Sequence, residues 1–159
     1  MKIIRYPLSV IFLLLILLFF QKVYAVNPIT KADDILGTWI NEEKKVGFEI
    51  YKRGSQYYAK IVWLATPTVH GKPKTDENNP DPAKRSQPLI GTVILKSLAY
   101  EDSEWKGGTI YNPKEGKTFD VYLKLTSQNK LEVIGYKGSR LFSKTQHWYR
   151  ANLSKSQKD

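Results

Sequence analysis

The chain has 159 residues, no cysteine and a formal net charge of +10. That length supports one domain with its own core, and the missing thiols exclude disulfide staples, cysteine–zinc sites and thiol catalysis. The basic residues are mostly lysine and are scattered, which implies a solubilising surface attracted to anionic polymers or lipid headgroups rather than a nucleic-acid footprint.

Lys2 and Arg5 precede an uncharged apolar run from Pro7 to Phe20, and Val23 and Ala25 sit at the small-residue positions before a cleavage point. This order predicts a secretory signal peptide over residues 1–25, export, and a mature domain over residues 26–159. The 14-residue run falls short of the roughly 20 apolar residues that span a bilayer, so the mature chain is not expected to cross a membrane. No cysteine follows it to carry a bacterial-type lipid anchor. The segment holds Lys2, Arg5 and Lys22 and no acid, which leaves +7 for the remainder.

The stretch Pro28–Leu36 predicts a short helical turn, capped by Thr30 with Asp33 three residues later. "LGTWINE" then opens the first strand. In "VGFEIYK", Val46, Phe48 and Ile50 share one face and Glu49 and Tyr51 the other, the period of a half-buried strand. "QYYAKIVWL" places Tyr57, Ala59, Ile61 and Trp63 together, with Lys60 opposite, and pairs with the strand before it as a hairpin.

A long connection follows, over residues 65–88. Such loops are usually functional or disordered. Pro73, Pro80, Pro82 and Pro88 stiffen this one, and Asp76, Asn79 and Asp81 are side chains that bond nearby backbone N–H groups. "DENNPDP" therefore predicts an ordered loop. It either flanks or plugs one barrel mouth, or contributes to a ligand or partner site with Arg85 as a cation for an acidic group.

"PLIGTVILKSL", "GGTIY", "KTFDVYLKL", "LEVIGYK" and "KTQHWYRA" continue the strand pattern, with "NPKEG" and "TSQNK" as turns. In the third of these, Phe119, Val121, Leu123 and Leu125 share a face. About eight antiparallel strands, each with one apolar face, close into a barrel or stack as a sandwich; closure removes the exposed edges. The reading adopted is all-β, an eight-stranded up-and-down barrel. "GTW" (Gly37, Trp39) and "HWYR" (Trp148, Arg150) lie on the first and last strands, which are neighbours in a closed barrel. That predicts an Arg150 guanidinium over the Trp39 indole.

These end motifs resemble the signature of lipocalins and their calycin relatives. Together with "GKPKTDENNPDPAKRSQPLIG" and "LEVIGYKGSRLFSKTQHWYR", they resemble the bacterial exported family known as domain of unknown function 2147. The resemblance covers nearly all of the mature chain. It implies a calycin-like, fatty-acid-binding-protein-like barrel in the Gram-negative envelope, periplasmic or fully secreted, and it implies no reaction. Ser143 departs from the family pattern, which has a glycine there; a glycine would allow a close backbone approach, so the family's local bulge or turn does not carry over to this chain from the resemblance alone.

No catalytic constellation emerges. The acids cluster in turns rather than in apolar runs that would raise their pKa. His70, Asp76 and Asp81 make a zinc set only on paper. The calcium-loop template fails, because with Asp76 as the first position the fifth is Pro80 and the sixth, where a glycine is needed, is Asp81. The expectation is therefore no metal, no cofactor and no enzyme, but a binding protein for a small hydrophobic or amphipathic molecule. The interior set for such a ligand is Phe48, Ile50, Ile61, Trp63, Tyr111, Val121 and Leu123, with Arg85 or Lys60 at the mouth. Trp63, Tyr111 and Trp105 serve equally as core filler if the barrel is full. The competing reading is an envelope interaction module with a filled barrel, which uses the 65–88 loop to hold a protein or an anionic polymer.

Overall fold

The computed structural model describes residues 31–153. The predicted signal peptide, and Thr30 with its predicted cap, lie outside the described residues. The eight barrel strands are β1 (Gly37–Asn41), β2 (Val46–Arg53), β3 (Gln56–Leu64), β6 (Val93–Glu101), β7 (Glu104–Asn112), β8 (Lys117–Ser127), β9 (Lys130–Lys137) and β10 (Ser139–Arg150). Each pairs antiparallel with the next, and β1 joins β2 on one side and β10 on the other, so the barrel closes. A small ribbon, β4 (Thr68–Val69) with β5 (Lys72–Pro73), stands in the long connection.

The alternation that builds these strands also fills one half of the barrel. Trp39, Tyr57, Leu98, Trp105, Leu123, Leu131 and Trp148 are buried there, with Phe48 stacked on Trp148 at 3.9 Å. Close packing of this kind leaves no room for a guest.

The turn expected before β1 is a 3-10 turn, Ala32–Ile35. Within it, Asp34 accepts from the Lys31 N–H at 2.7 Å. Asp33 instead accepts from the Tyr57 hydroxyl at 2.5 Å and from Lys52 at 2.8 Å. Those two donors, Lys52 first, hold its carboxyl below the usual carboxylate range. The turn plugs the barrel. Ile35 is fully buried, the Trp39 indole donates to the Ile35 carbonyl at 2.8 Å, and Trp105 donates to that of Ala32 at 2.9 Å.

Arg150 completes the seal. Its guanidinium lies 4.3 Å from the Trp39 ring centre, and Trp39 and Arg150 are register partners. It also donates to the carbonyls of Asp34, Leu36 and Gln128. Gly37 bends the chain from plug into β1 at φ +111, and a Cβ there would come to 3.4 Å from the guanidinium. A shallow depression of about 280 Å³ beside this seal is lined by Asp34, Leu125, Gln128, Asn129 and Arg150. Its one cation is already committed to carbonyls.

Candidate ligand cleft at the open end

The opposite end is built differently. β1 pairs only with Trp148–Arg150 of β10, and the Glu42 N–H makes the last bond to that side, to the His147 carbonyl. Asn41 then turns the chain away by accepting from the N–H groups of Lys45 and Val46, both at 2.8 Å. Residues 139–146 of β10 are exposed on both faces. The inner wall of the barrel is therefore open to solvent here.

A cleft of about 240 Å³ occupies this end. Ile110, Phe119 and Val133 form an apolar wall from β7, β8 and β9, with Gly135 leaving space in its middle. Lys144 and Gln146 of β10 face that wall, and Asn112, Glu115, Lys137 and Phe142 stand at the rim. Glu115 accepts from the Asn112 amide at 2.9 Å. Trp148 occupies the next inward position below Gln146, fully buried, and its indole N–H has no hydrogen-bond partner among the described residues. The cleft thus offers donors along one strand opposite a hydrocarbon wall, a pattern that holds an amphipathic molecule.

The long loop packs beside this mouth. Asp76 is buried and accepts from the Tyr111 hydroxyl at 2.8 Å and from the Asn79 amide at 2.6 Å. Asn79 in turn accepts from the Asp81 N–H at 3.0 Å, which tightens the turn at Pro80. Asp81 caps the short 3-10 turn at Pro82 by accepting from Ala83. Lys84, and then that N–H, hold the Asp81 carboxyl below its ordinary range. Burial first, and then the Asp76 carboxylate, push the Tyr111 hydroxyl up to about 12. Asn78 lies on the β7–β8 turn, where Gly116 has φ +64 and a Cβ would meet the Asn78 carbonyl oxygen at 2.0 Å.

The sequence-predicted site residues are not the ones that line the cleft. Phe48, Ile50, Ile61, Val121 and Leu123 do point inward, but they are buried in the filled half. Trp63 does not share their face. The β2–β3 register slips between Gly47 and Phe48, which pairs Trp63 with Gly47 and Ile61 with Phe48. The bulge re-aims the side chain, and Trp63 packs beside Gly47 and Leu153 instead. Tyr111 alternates with the cleft residues Ile110 and Asn112, so it lies on the outer face, where it pins the loop. Arg85 donates to the Asn79 carbonyl at 2.8 Å and braces the same loop. Lys60 pairs with Glu49 at 2.8 Å, away from the mouth.

His70 sits in the exposed β4–β5 turn at φ +49. His147 lies between Glu42 at 3.5 Å and Glu132 at 3.6 Å. Among the described residues, no group of three His, Cys, Asp or Glu residues is placed to hold a metal. Of the cleft residues, the sequence pattern puts Phe119 on an apolar face with Val121, while Val133, Gly135, Lys144 and Gln146 do not stand out in it. The available signal was "SRLFSKTQ", where a strand carries polar residues at successive inward positions. The β9–β10 register shifts between Ser139 and Ser143, so the irregularity is kept although a serine stands where the family pattern has a glycine.

Residues 37–150 match the bacterial family described as "Uncharacterized protein conserved in bacteria (DUF2147)". The chain belongs to this family. The DUF2147 chain is also similar to a solved structure, protein HP1028 from Helicobacter pylori, described as belonging to the lipocalin family. The two share 26% identity and a TM-score of 0.65, over 77% of this chain and 86% of that one. No curated protein matches it. The DUF2147 barrel is therefore lipocalin-like, as its paired end motifs implied. No helix among the described residues is long and apolar enough to cross a membrane.

Proposed function

We propose that this protein is an exported, non-catalytic carrier of a small amphipathic molecule, held in the open-end cleft between β7 and β10. The observation that carries this reading is the solvent-open inner face of β10, with Lys144 and Gln146 opposite the wall of Ile110, Phe119 and Val133. An apolar body rests on that wall, and hydrogen-bond acceptors face β10. The lipocalin-like architecture supports binding over catalysis, and the N-terminal charged–apolar–small pattern supports a periplasmic location. The competing interaction-module reading needs a filled barrel; one half is filled and the open end is not.

The test is titration with a dansyl-labelled fatty acid against a variant that fills the cleft. A Cβ on Gly135 would stand 3.7 Å from the Ile110 side chain, an ordinary contact, and its φ is not in the left-handed region. Gly135→Leu should therefore fold with an unchanged thermal midpoint and lose at least about tenfold in affinity, the scale of several buried CH₂ contacts. Equal binding by the two proteins would place the ligand elsewhere.

A further inference from the structure

We propose that the rim of the open end docks on an anionic phospholipid surface through the tip Leu141–Phe142. These two neighbours are 88% and 82% exposed, against 49% for the next most exposed large hydrophobic among the described residues, Val69. They stand in the bulge where β10 leaves its register with β9 between Ser139 and Ser143. Exposed apolar side chains carried on such a bulge can insert shallowly at the headgroup boundary, as the apolar face of an interfacial helix does.

The charges around the tip fit the same surface. Lys137 and Lys144 flank it at the cleft mouth, and neither side chain has a carboxylate partner among the described residues. Arg140 adds charge but is partly committed, 3.6 Å from Glu104 and stacked 4.1 Å from the Tyr122 ring. Among the described residues the one acid lining the mouth, Glu115, is tied to Asn112 and lies 4.0 Å from Lys117. Basic residues beside an anionic leaflet each strengthen partitioning by about fivefold.

Two alternative occupants fit less well. Two side chains are too small an area for a stable protein interface, which buries about 800 Å² per partner. A second copy at this rim would bring its own Lys137 and Lys144 against these two. A lipid surface needs only the two apolar side chains and the surrounding charge. Because Phe142 also lines the cleft, docking places the mouth against the headgroups. That last consequence rests on the carrier reading; the docking surface itself does not.

The chain has no cysteine, so one can be placed and labelled uniquely. Leu141→Cys carrying an environment-sensitive fluorophore should shift to the blue with phosphatidylglycerol-containing vesicles and not with phosphatidylcholine alone. The same label on Gln128→Cys, at the sealed end, should not shift. Lys137→Gln with Lys144→Gln should weaken docking by about 25-fold at low salt, two lysines at about fivefold each. Gly135→Leu separates the two proposals: it should leave docking unchanged while it removes fatty-acid binding. Absence of a shift at residue 141, or equal shifts at residues 141 and 128, overturns the docking surface. So does a shift lost in Gly135→Leu, which would mean that the label reports lipid entering the cleft. A concentration-dependent shift without vesicles would assign the tip to self-association instead.

Discussion

Arg150 lies over Trp39, 4.3 Å from the ring centre, and the same guanidinium donates to three backbone carbonyls of the plug and the β8–β9 turn. A single cation from the last strand thereby holds together the first strand, the plug and a distant turn. The fully buried indole beneath it supplies the π face, and its own N–H is spent on Ile35.

Replacing Arg150 with Met should cost about 2–3 kcal/mol, from the lost cation–π contact and the orphaned carbonyls. Lys at this position keeps the charge but not the planar fork, and should recover less than about half of that loss. Urea denaturation of the three proteins measures both. A Met variant as stable as the parent would remove Arg150 from the seal.

Asp76 and Tyr111 should behave as one unit. Tyr111→Phe leaves Asp76 with the Asn79 amide, and Asp76→Ala leaves a part-buried hydroxyl and a buried amide unpaired. Each should cost about 1–3 kcal/mol. The double variant should cost less than the sum by about 0.5 kcal/mol or more. Strict additivity in a double-mutant cycle would mean that the hydrogen bond contributes nothing.

Gly116→Ala should free the loop without touching the cleft wall. The left-handed backbone and the Asn78 carbonyl both oppose a Cβ, and the expected cost is about 1–2 kcal/mol. Hydrogen exchange at the N–H groups of Asp76 and Asn79, bonded to Gln87 and Asp76 in the parent, should accelerate. Unchanged protection would show that the turn adapts in place.

Tyr111 predicts an alkaline limb in stability. Its hydroxyl titrates near about 10 when unfolded and about 12 when folded. A raised folded pKa means that the contribution is complete below pH about 10 and is lost as pH rises towards about 12. The stability difference between the parent and Tyr111→Phe should be flat near neutrality and shrink across that window. The other tyrosines and lysines are common to both proteins and cancel. A difference that stays constant through the window would contradict the assignment.

The barrel was legible because its signals are local or lie at fixed positions. The period-2 runs define the strands, and Trp39 and Arg150 mark the strands that must meet. The loop's local hydrogen bonds were legible for the same reason: Asn79 and Asp81 bond within two residues of themselves. The cleft was not. Whether inward side chains meet or leave space depends on what faces them across the barrel. Phe48 and Val121 face a packed interior, whereas Gly135 and Phe119 face the open half. Trp63 was misplaced because a single slip in register reverses every side chain beyond it, and no residue in "KIVWL" announces the slip. Tyr111 reads as a wall aromatic until its partner, 35 positions earlier at Asp76, is known.

The seal at Arg150 also dictates when the molecule can finish folding. Its bonds reach back 114 residues to Leu36 and 116 residues to Asp34, and β1 gains its second neighbour only from β10. Contacts so distant along the chain form slowly, because the intervening loop must be closed first. Every strand before β10 can emerge and pair with its predecessor while the barrel remains an open sheet. The barrel therefore stays an open sheet until β10 has paired with β1, and resistance to unfolding arrives in that one closing step rather than strand by strand.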